Sequence, residues 1–320
     1  MLRSLLGPDW RKSNAHLLLL TKFLRPQTAE GFSESDSWKA VLRESPNQAI
    51  KRFIDEGMLT QADLNAQLDY KFKATELKDL LKQRSLPVSG RKEDFINRLV
   101  QTDPEGMKRA VAGPQILLCS ERGQQIAENY LATEKTKRLE MEGQVLEYLK
   151  RRKFKEASVA VAAYEATQVF PRGMGIDWKN HNPARNVELL RFIFDGKPKI
   201  LSRLQNDQLA ALRLAGGMIT LLGLSQGKQW LPPNFETGLA MDNDAAVRML
   251  FFYATHQADM ANYRQGGIVK QVEIRAAQDS CEACKRISGK KYKLSEVPEL
   301  PYEHCTHEMG CRCMTLAVLK

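Results

Sequence analysis

Apolar residues recur at helical spacing along most of this chain. Between residues 37 and 72, three segments place apolar side chains at i, i+3 and i+4. They are SWKAVLRES, PNQAIKRFIDEGML and TQADLNAQLDYKF, and Thr60 is a candidate N-cap of the third. The same period predicts long helices over 120–168 and further helices at about 186–196, 206–225 and 243–265. The pattern therefore predicts a mainly α fold built from helical domains.

The period changes from helical to alternating near the C-terminus. Gly266 and Gly267 end the last helix, and Val272, Ile274 and Ala276 then alternate with polar residues as in a strand. The segment MTLAVL at 314–319 predicts a second strand. We expect a small β-element over residues 267–320.

A two-helix unit is predicted over residues 73–101. Thr75 is a candidate N-cap, and Pro87, Ser89 and Gly90 break the pattern in the middle. Each predicted helix has one apolar face, formed by Leu77, Leu80 and Leu81 and then by Phe95, Ile96, Leu99 and Val100. A unit of about 30 residues is too small for a large core, so we expect it to pack on its neighbours.

The charge balance favours an anionic partner, nucleic acid before membrane. The chain of 320 residues has a formal net charge of +10, and residues 71–101 contain eight basic and four acidic residues. The apolar runs HLLLLTKFL and LAGGMITLLGL are too short to span a bilayer and predict core-helix or helix-cap segments. These features predict a cytoplasmic protein with no membrane partner.

The segment TELKDLLKQRSLPVSGRKEDFINRL resembles the SAP domain, a small helix–turn–helix DNA-binding module. The resemblance implies that Ser89, Gly90, Arg91 and Lys92 lie at the DNA backbone, with Lys82 and Arg84 beside them. The free N–H groups at the start of the second helix, near Arg91, can bind a phosphate group. Such contacts position a protein on DNA with little sequence readout. The alternative is a plain helical hairpin with a solvated charged face.

Five of the six cysteines fall in one window, residues 281–313. Cys119 stands alone in the apolar run ILLC and is expected to be a buried small hydrophobe. A Cys-x-x-Cys pair is followed about twenty residues later by HCTHEMGCRC, a spacing typical of a tetrahedral structural zinc site. The predicted ligands are Cys281, Cys284, Cys305 and Cys311, with Cys313 and His307 in reserve. A metal-free thiol cluster and a redox disulfide pair are the alternatives.

Residues 243–319 also resemble the C-terminal part of the phage Mu F-like head-morphogenesis (minor capsid) family. The shared pattern is a long helix ending in Gly, a strand, and a series of residues comprising Asp279, Cys281, Cys284, Gly289, Lys290, Tyr292, His307, Cys311 and Cys313. That family ends His-Pro-x-Cys-Arg-Cys, whereas this chain has His-Glu-Met-Gly-Cys-Arg-Cys and an additional Cys305. The resemblance implies a role in head assembly, and the departure leaves the ligand set open.

These patterns together predict four segments and one principal function. The segments are an N-terminal helical region (1–72), the SAP unit (73–101), a helical domain of unknown role (102–266) and a zinc-bound β-element (267–320). We expect a DNA-binding protein with structural Zn²⁺ and a possible protein partner on the helical domain. No catalytic residue is identified. A prophage-derived head-assembly protein and a SAP-targeted nuclease or repair enzyme are the alternatives.

Overall fold

The computed structural model describes residues 9–318 except Met174 and Ser225. The described residues form a mainly α fold, which confirms the fold class predicted from periodicity. The chain divides into two compact units, with the boundary between Lys137 and Arg138. The finer division into four segments stays a prediction. Among the described residues, no helix combines the length and apolar character needed to cross a membrane.

The described residues of the first unit form eight complete helices, the start of a ninth and a small sheet. The helices are α1 Asn14–Thr21, α2 Glu30–Ser33, α3 Asp36–Leu42, α4 Pro46–Asp55, α5 Leu64–Lys71, α6 Ala74–Gln83, α7 Lys92–Thr102, α8 Pro104–Ala110 and α9 Glu121–Lys150, the last of which contains the boundary. The strands are β1 Gln27–Thr28, β2 Leu59–Gln61 and β3 Ile116–Cys119, paired antiparallel in the order β1-β3-β2.

This sheet was not anticipated from the sequence. β1 and β2 have two and three residues, too few to show an alternating pattern. Thr60 lies in β2, so its prediction as an N-cap is wrong. Asp63 caps α5 instead, because its carboxylate accepts the N–H of Ala66 at 2.7 Å. Cys119 is buried in β3, as its apolar surroundings predicted.

The hairpin of α6 and α7 shares its core with the helices on either side of it. Leu77 and Leu81 of α6 pack with Phe95 and Leu99 of α7, and all four are essentially inaccessible to solvent. Leu68 of α5 and Met107 of α8 complete the same cluster. The expectation that the unit packs on its neighbours is thereby met.

The turn between α6 and α7 is held by one arginine. The Arg98 guanidinium donates to the carbonyl oxygens of Pro87 at 2.9 Å and Ser89 at 2.7 Å. Gly90 adopts φ +117°, a conformation that side-chain-bearing residues rarely adopt. The turn that leads into α7 is therefore a defined structure.

The second unit packs helices around one large apolar core and carries the C-terminal β-element. Its helices, after the end of α9, are α10 Phe154–Glu165, α11 Ala184–Asp195, α12 Asn206–Leu222, α13 Asn243–Gly266 and α14 Glu282–Ile287. Its strands are β4 Gln271–Arg275, β5 Lys291–Lys293 and β6 Met314–Val318, paired antiparallel in the order β5-β4-β6. The predicted strands at 272–276 and 314–319 correspond to β4 and β6.

Replacing Gly90 tests the turn. Gly90→Ala should lower the free energy of unfolding by at least about 1 kcal/mol, because the backbone there has a positive φ. The added Cβ would also lie 2.6 Å from Oδ2 of Asp94. Urea unfolding followed by circular dichroism measures the change.

The matched control for this substitution is Gly31→Ala. Gly31 lies in α2 without a positive φ, and a Cβ added there would meet no atom within 4 Å. Alanine at this position should therefore be neutral or stabilising by up to about 1 kcal/mol. Equal stabilities of the Gly90→Ala variant and the unmodified protein would contradict the turn assignment.

Candidate nucleic-acid interface and metal centre

Two of the predicted DNA-contacting residues, Arg91 and Lys92, lie at the start of α7 and differ in whether another residue of the chain already binds their side chains. Arg91 is the N-cap residue, is exposed, and makes no side-chain ion pair among the described residues. The Lys92 ammonium lies 2.5 Å from the carbonyl oxygen of Asp69 and 2.9 Å from its carboxylate. Arg91 is thus available to an external phosphate, whereas Lys92 must exchange a partner.

Carboxylates already complement the N-terminus of α7. Asp94 accepts the backbone N–H of Arg91 at 2.7 Å, and Glu93 adds a second negative charge in the first turn. A phosphate at this end of α7 would therefore meet the guanidinium of Arg91 and the remaining first-turn N–H groups. The backbone N–H of Arg91 itself already donates to Asp94.

Arg84 and Lys82 differ sharply in their surroundings. Arg84 donates to one oxygen of Asp103 from Nε at 3.0 Å and from Nη2 at 2.7 Å. That hydrogen bonding, with the N–H of Gly106 on the other oxygen, lowers the pKa of Asp103. Lys82 is exposed and makes only a surface ion pair with Asp79 at 3.0 Å. Arg84, at the end of α6, is therefore bonded to Asp103, at the start of α8.

Two basic residues of the hairpin have roles that sequence reasoning missed. Arg98 holds the turn, and the Lys78 ammonium lies 5.4 Å from the centre of the Phe95 ring. Neither contact can be predicted from the spacing of residues in the sequence, because each depends on how α6 and α7 pack together.

The geometry of the hairpin agrees with the comparison to protein families. Residues 71–104 match the SAP domain family. The match covers about a tenth of the chain and contains α6, the turn and α7. The SAP domain is in general a DNA-binding motif, which supports a DNA-binding role for this chain. Comparison with curated proteins and with solved structures finds no match.

The second candidate site is a cluster of five cysteines in the C-terminal β-element. The cysteines form two groups of three, and within each group every sulfur atom lies within 4.8 Å of the other two. Cys284 belongs to both groups. One group contains Cys281 and Cys305, and the other contains Cys311 and Cys313. The cluster could hold a metal ion.

The elements that carry these cysteines explain why they meet. Cys281 is the N-cap residue of α14, and Cys284 lies in that helix. The other three lie between Tyr302 and β6, whose antiparallel pairing with β4 returns the chain to α14. One strand pair and one short helix therefore bring together the cysteines that the spacing singled out.

Backbone and sulfur contacts fix the deeper half of the cluster. The sulfur of Cys311 accepts the N–H of Tyr302 at 3.2 Å, and the N–H of Cys311 lies 3.3 Å from the sulfur of Met249 on α13. Cys284 and Cys311 are each 1% exposed, and their sulfurs lie 4.0 Å apart. The outer pair, Cys281 and Cys305, is half-buried, with sulfurs 3.8 Å apart.

Thiol hydrogen bonds polarise the cluster. Hydrogen bonding from Cys284, then from Cys305 and Cys313, lowers the pKa of Cys311. The pKa of Cys284 is raised by hydrogen bonds with Cys305 and Cys311. Burial acts to raise the pKa of Cys281, but hydrogen bonds from Thr306 and Cys284 outweigh it and lower that pKa to about 6. Thiolate is the form of cysteine that binds metal.

His307 lies outside both thiol groups. Its Nδ1 accepts the N–H of Met309 at 3.0 Å, and its Nε2 lies 3.1 Å from the Arg312 guanidinium. Asp279 binds that guanidinium at 2.7 Å. In this arrangement His307 belongs to a polar network beside the cluster, and Cys313 is the reserve ligand that lies with the thiols.

The two environments of Arg84 and Lys82 predict different effects of substitution. Arg84→Ala should lower the free energy of unfolding by more than Lys82→Ala does, because it removes two hydrogen bonds to the Asp103 carboxylate that join the end of α6 to the start of α8. Lys82→Ala removes an exposed pair and should cost less than about 0.5 kcal/mol. Urea unfolding of both variants measures the contrast, and an equal effect of the two changes would contradict the structural role of Arg84.

Proposed function

We propose that this chain is a DNA-binding protein that contacts the duplex backbone through its SAP hairpin. The single observation that carries the proposal is the match of residues 71–104 to the SAP domain family, on a hairpin whose turn is rigidly held. Contacts to phosphate supply affinity and orientation without reading base identity. The bound DNA would be selected by its charge and shape.

The proposed contacts are ranked by how freely each side chain can move to a phosphate. Arg91 is exposed and unpaired among the described residues, and Ser89 and Gly90 beside it are also exposed. Lys82 can exchange its surface ion pair for phosphate at little cost, whereas Lys92 must give up both of its bonds to Asp69. Arg84 would contribute indirectly, by supporting the hairpin through Asp103.

We further propose that the thiol cluster holds one structural zinc ion. Four sulfurs at about 2.3 Å from a tetrahedral ion would lie about 3.8 Å from one another. The two closest sulfur pairs, at 3.8 and 4.0 Å, approach that spacing before any adjustment. Cys281, Cys284, Cys305 and Cys311 supply both pairs and are the proposed ligands, with Cys313 as the alternative fourth.

The role of such an ion would be to cross-link the β-element. The described residues of that element have only two small apolar clusters, built around Val272 and Ile274. A tetrahedral all-thiolate site leaves no position open for a substrate, so it stabilises a fold. The chain supplies the thiolates, and the N–H of Tyr302 orients one of them.

A second candidate function is phage head assembly. α13 ends at Gly266, and β4 and then the helix that contains the Cys-x-x-Cys pair follow it, which is the order that the Mu F-like resemblance implies. Met314 and Leu316 are exposed on β6, where a protein partner could cover them. In this reading the chain assembles with other head proteins, and DNA binding by the hairpin is retained.

Substitution at the start of α7 tests DNA binding. In the full chain, Arg91→Ala with Lys92→Ala should weaken binding to a short labelled duplex and reduce the slope of log Kd against log salt by about 1 to 2. Fluorescence anisotropy over a salt series measures both quantities. The matched control is Lys108→Ala with Lys137→Ala, which removes two exposed lysines of the same unit that are paired with neighbouring glutamates.

Equal effects of the hairpin and control variants would contradict the proposal. The same duplex, incubated with Mg²⁺ or Mn²⁺ and run on a denaturing gel, separates binding from the alternative of a SAP-targeted nuclease. Cleavage that depends on the metal would replace the non-enzymatic assignment.

Metal analysis tests the zinc site. Elemental mass spectrometry should find one zinc per chain, and Cys284→Ser should abolish it because Cys284 belongs to both thiol groups. Chelation should lower the melting temperature and make the cluster thiols reactive toward a thiol reagent. Cys119→Ser, in the first unit, is the control and should keep zinc. Comparison of Cys281→Ser with Cys313→Ser identifies the fourth ligand, and no zinc in the unmodified protein would remove the proposal.

A further inference from the structure

The second unit carries a positively charged cleft at the β-element. The cleft has a volume of about 690 Å³ and lies between the end of α13, the start of β4 and the residues after β5. Arg264, Lys270 and Lys293 contribute its cations, and Tyr263, Gln271 and Ser295 contribute neutral hydrogen-bonding side chains. None of the described residues that line it carries a carboxylate.

Positive charge is concentrated in the segment of chain that contains most of the cleft residues, out of proportion to the length of that segment. Residues 264–293 contain eight basic and three acidic residues, a surplus of five in a chain whose whole surplus is ten. All three acids are already bound, because Arg275 holds Glu273 at 2.7 Å, Arg312 holds Asp279 at 2.7 Å and Lys285 holds Glu282 at 2.9 Å. The local field is therefore positive despite the nearby carboxylates.

The cations continue from the cleft along the edge of the sheet. β5 is an edge strand, and Lys291 and Lys293 point to the same side of it because side chains alternate along a strand. Lys290 precedes them, and Lys290 and Lys291 make no ion pair among the described residues. Lys293 has only a surface pair with Glu296 at 3.3 Å. A row of this kind fits a linear polyanion better than a single small anion.

We infer that this basic cleft and edge strand form a second binding surface for the phosphate backbone of nucleic acid. Lys270, Lys291 and Lys293 contact phosphates, and Arg264, whose guanidinium donates to the carbonyl oxygen of Leu294 at 3.3 Å, supports the cleft wall. The inference extends the proposed DNA binding to the second unit. It can fail, or succeed, independently of the SAP hairpin.

A triple substitution in the full chain provides the test. Lys270→Ala, Lys291→Ala and Lys293→Ala together should reduce the slope of log Kd against log salt by about 2 to 3 for a short fluorescein-labelled duplex. The corresponding lysine-to-arginine triple variant should keep the slope, since it keeps the charges. The control is Lys155→Ala, Lys179→Ala and Lys197→Ala, which removes three exposed charges of the same unit.

The possible outcomes separate the two surfaces. The inference is supported if the cleft triple reduces the slope and the control triple does not, and if the same reduction appears in the Arg91→Ala, Lys92→Ala background. This support holds even if the hairpin proposal fails. Slopes that are equal for the cleft and control triples overturn it, even if the hairpin variants lose binding. Unchanged zinc content and circular dichroism in the cleft triple show that the fold is intact.

Two further measurements identify other anionic ligands. Inorganic phosphate should displace the duplex no better than chloride at matched ionic strength; specific displacement by phosphate would indicate a small-anion site and overturn the inference. Vesicles containing phosphatidylserine provide the membrane comparison. Vesicle binding that depends on the three lysines, with DNA binding unchanged, would likewise overturn it.

Discussion

Burial of Cys284 and Cys311 in the main core of the second unit is the interaction on which the C-terminal β-element depends. Both side chains pack in the large apolar cluster, and Cys311 lies against Met249 of α13. The element contributes only five buried residues to its two small clusters, too few to fold about fifty residues independently. The two deep thiols therefore attach the element to α13, and a metal ion joining them to the outer thiols would add a covalent-like cross-link.

The hairpin in the first unit shows why formal charge overstates the cations available to a ligand. Eight basic residues lie between positions 71 and 101, but Arg84, Lys92 and Arg98 are each engaged within the protein. Their roles are to join helices and to hold the turn. DNA binding by this unit would use a smaller set, centred on Arg91, so its salt dependence should be modest for so basic a segment.

The sequence predicted those features that depend on local periodicity or spacing. The long helices, β4, β6 and the gathering of five cysteines all follow from patterns within a few residues of one another or from one recognisable spacing. The β1-β3-β2 sheet escaped prediction because its strands are very short and pair across up to ninety residues of chain. The partner of Arg84 lies nineteen residues away, and the position of Cys284 at the overlap of two thiol groups depends on how β6 returns beside β4. Contacts of this kind are set by tertiary packing, which periodicity does not report.

The positions of the carboxylates determine where the positive net charge of the chain is available to a phosphate. At α7, Glu93 and Asp94 stand in the first turn and oppose a phosphate there. At the basic cleft, no described lining residue is acidic, and the nearby Glu273 is neutralised by Arg275. The two proposed phosphate-binding surfaces therefore differ in the carboxylates beside them, and each is tested by its own set of charge-removing substitutions.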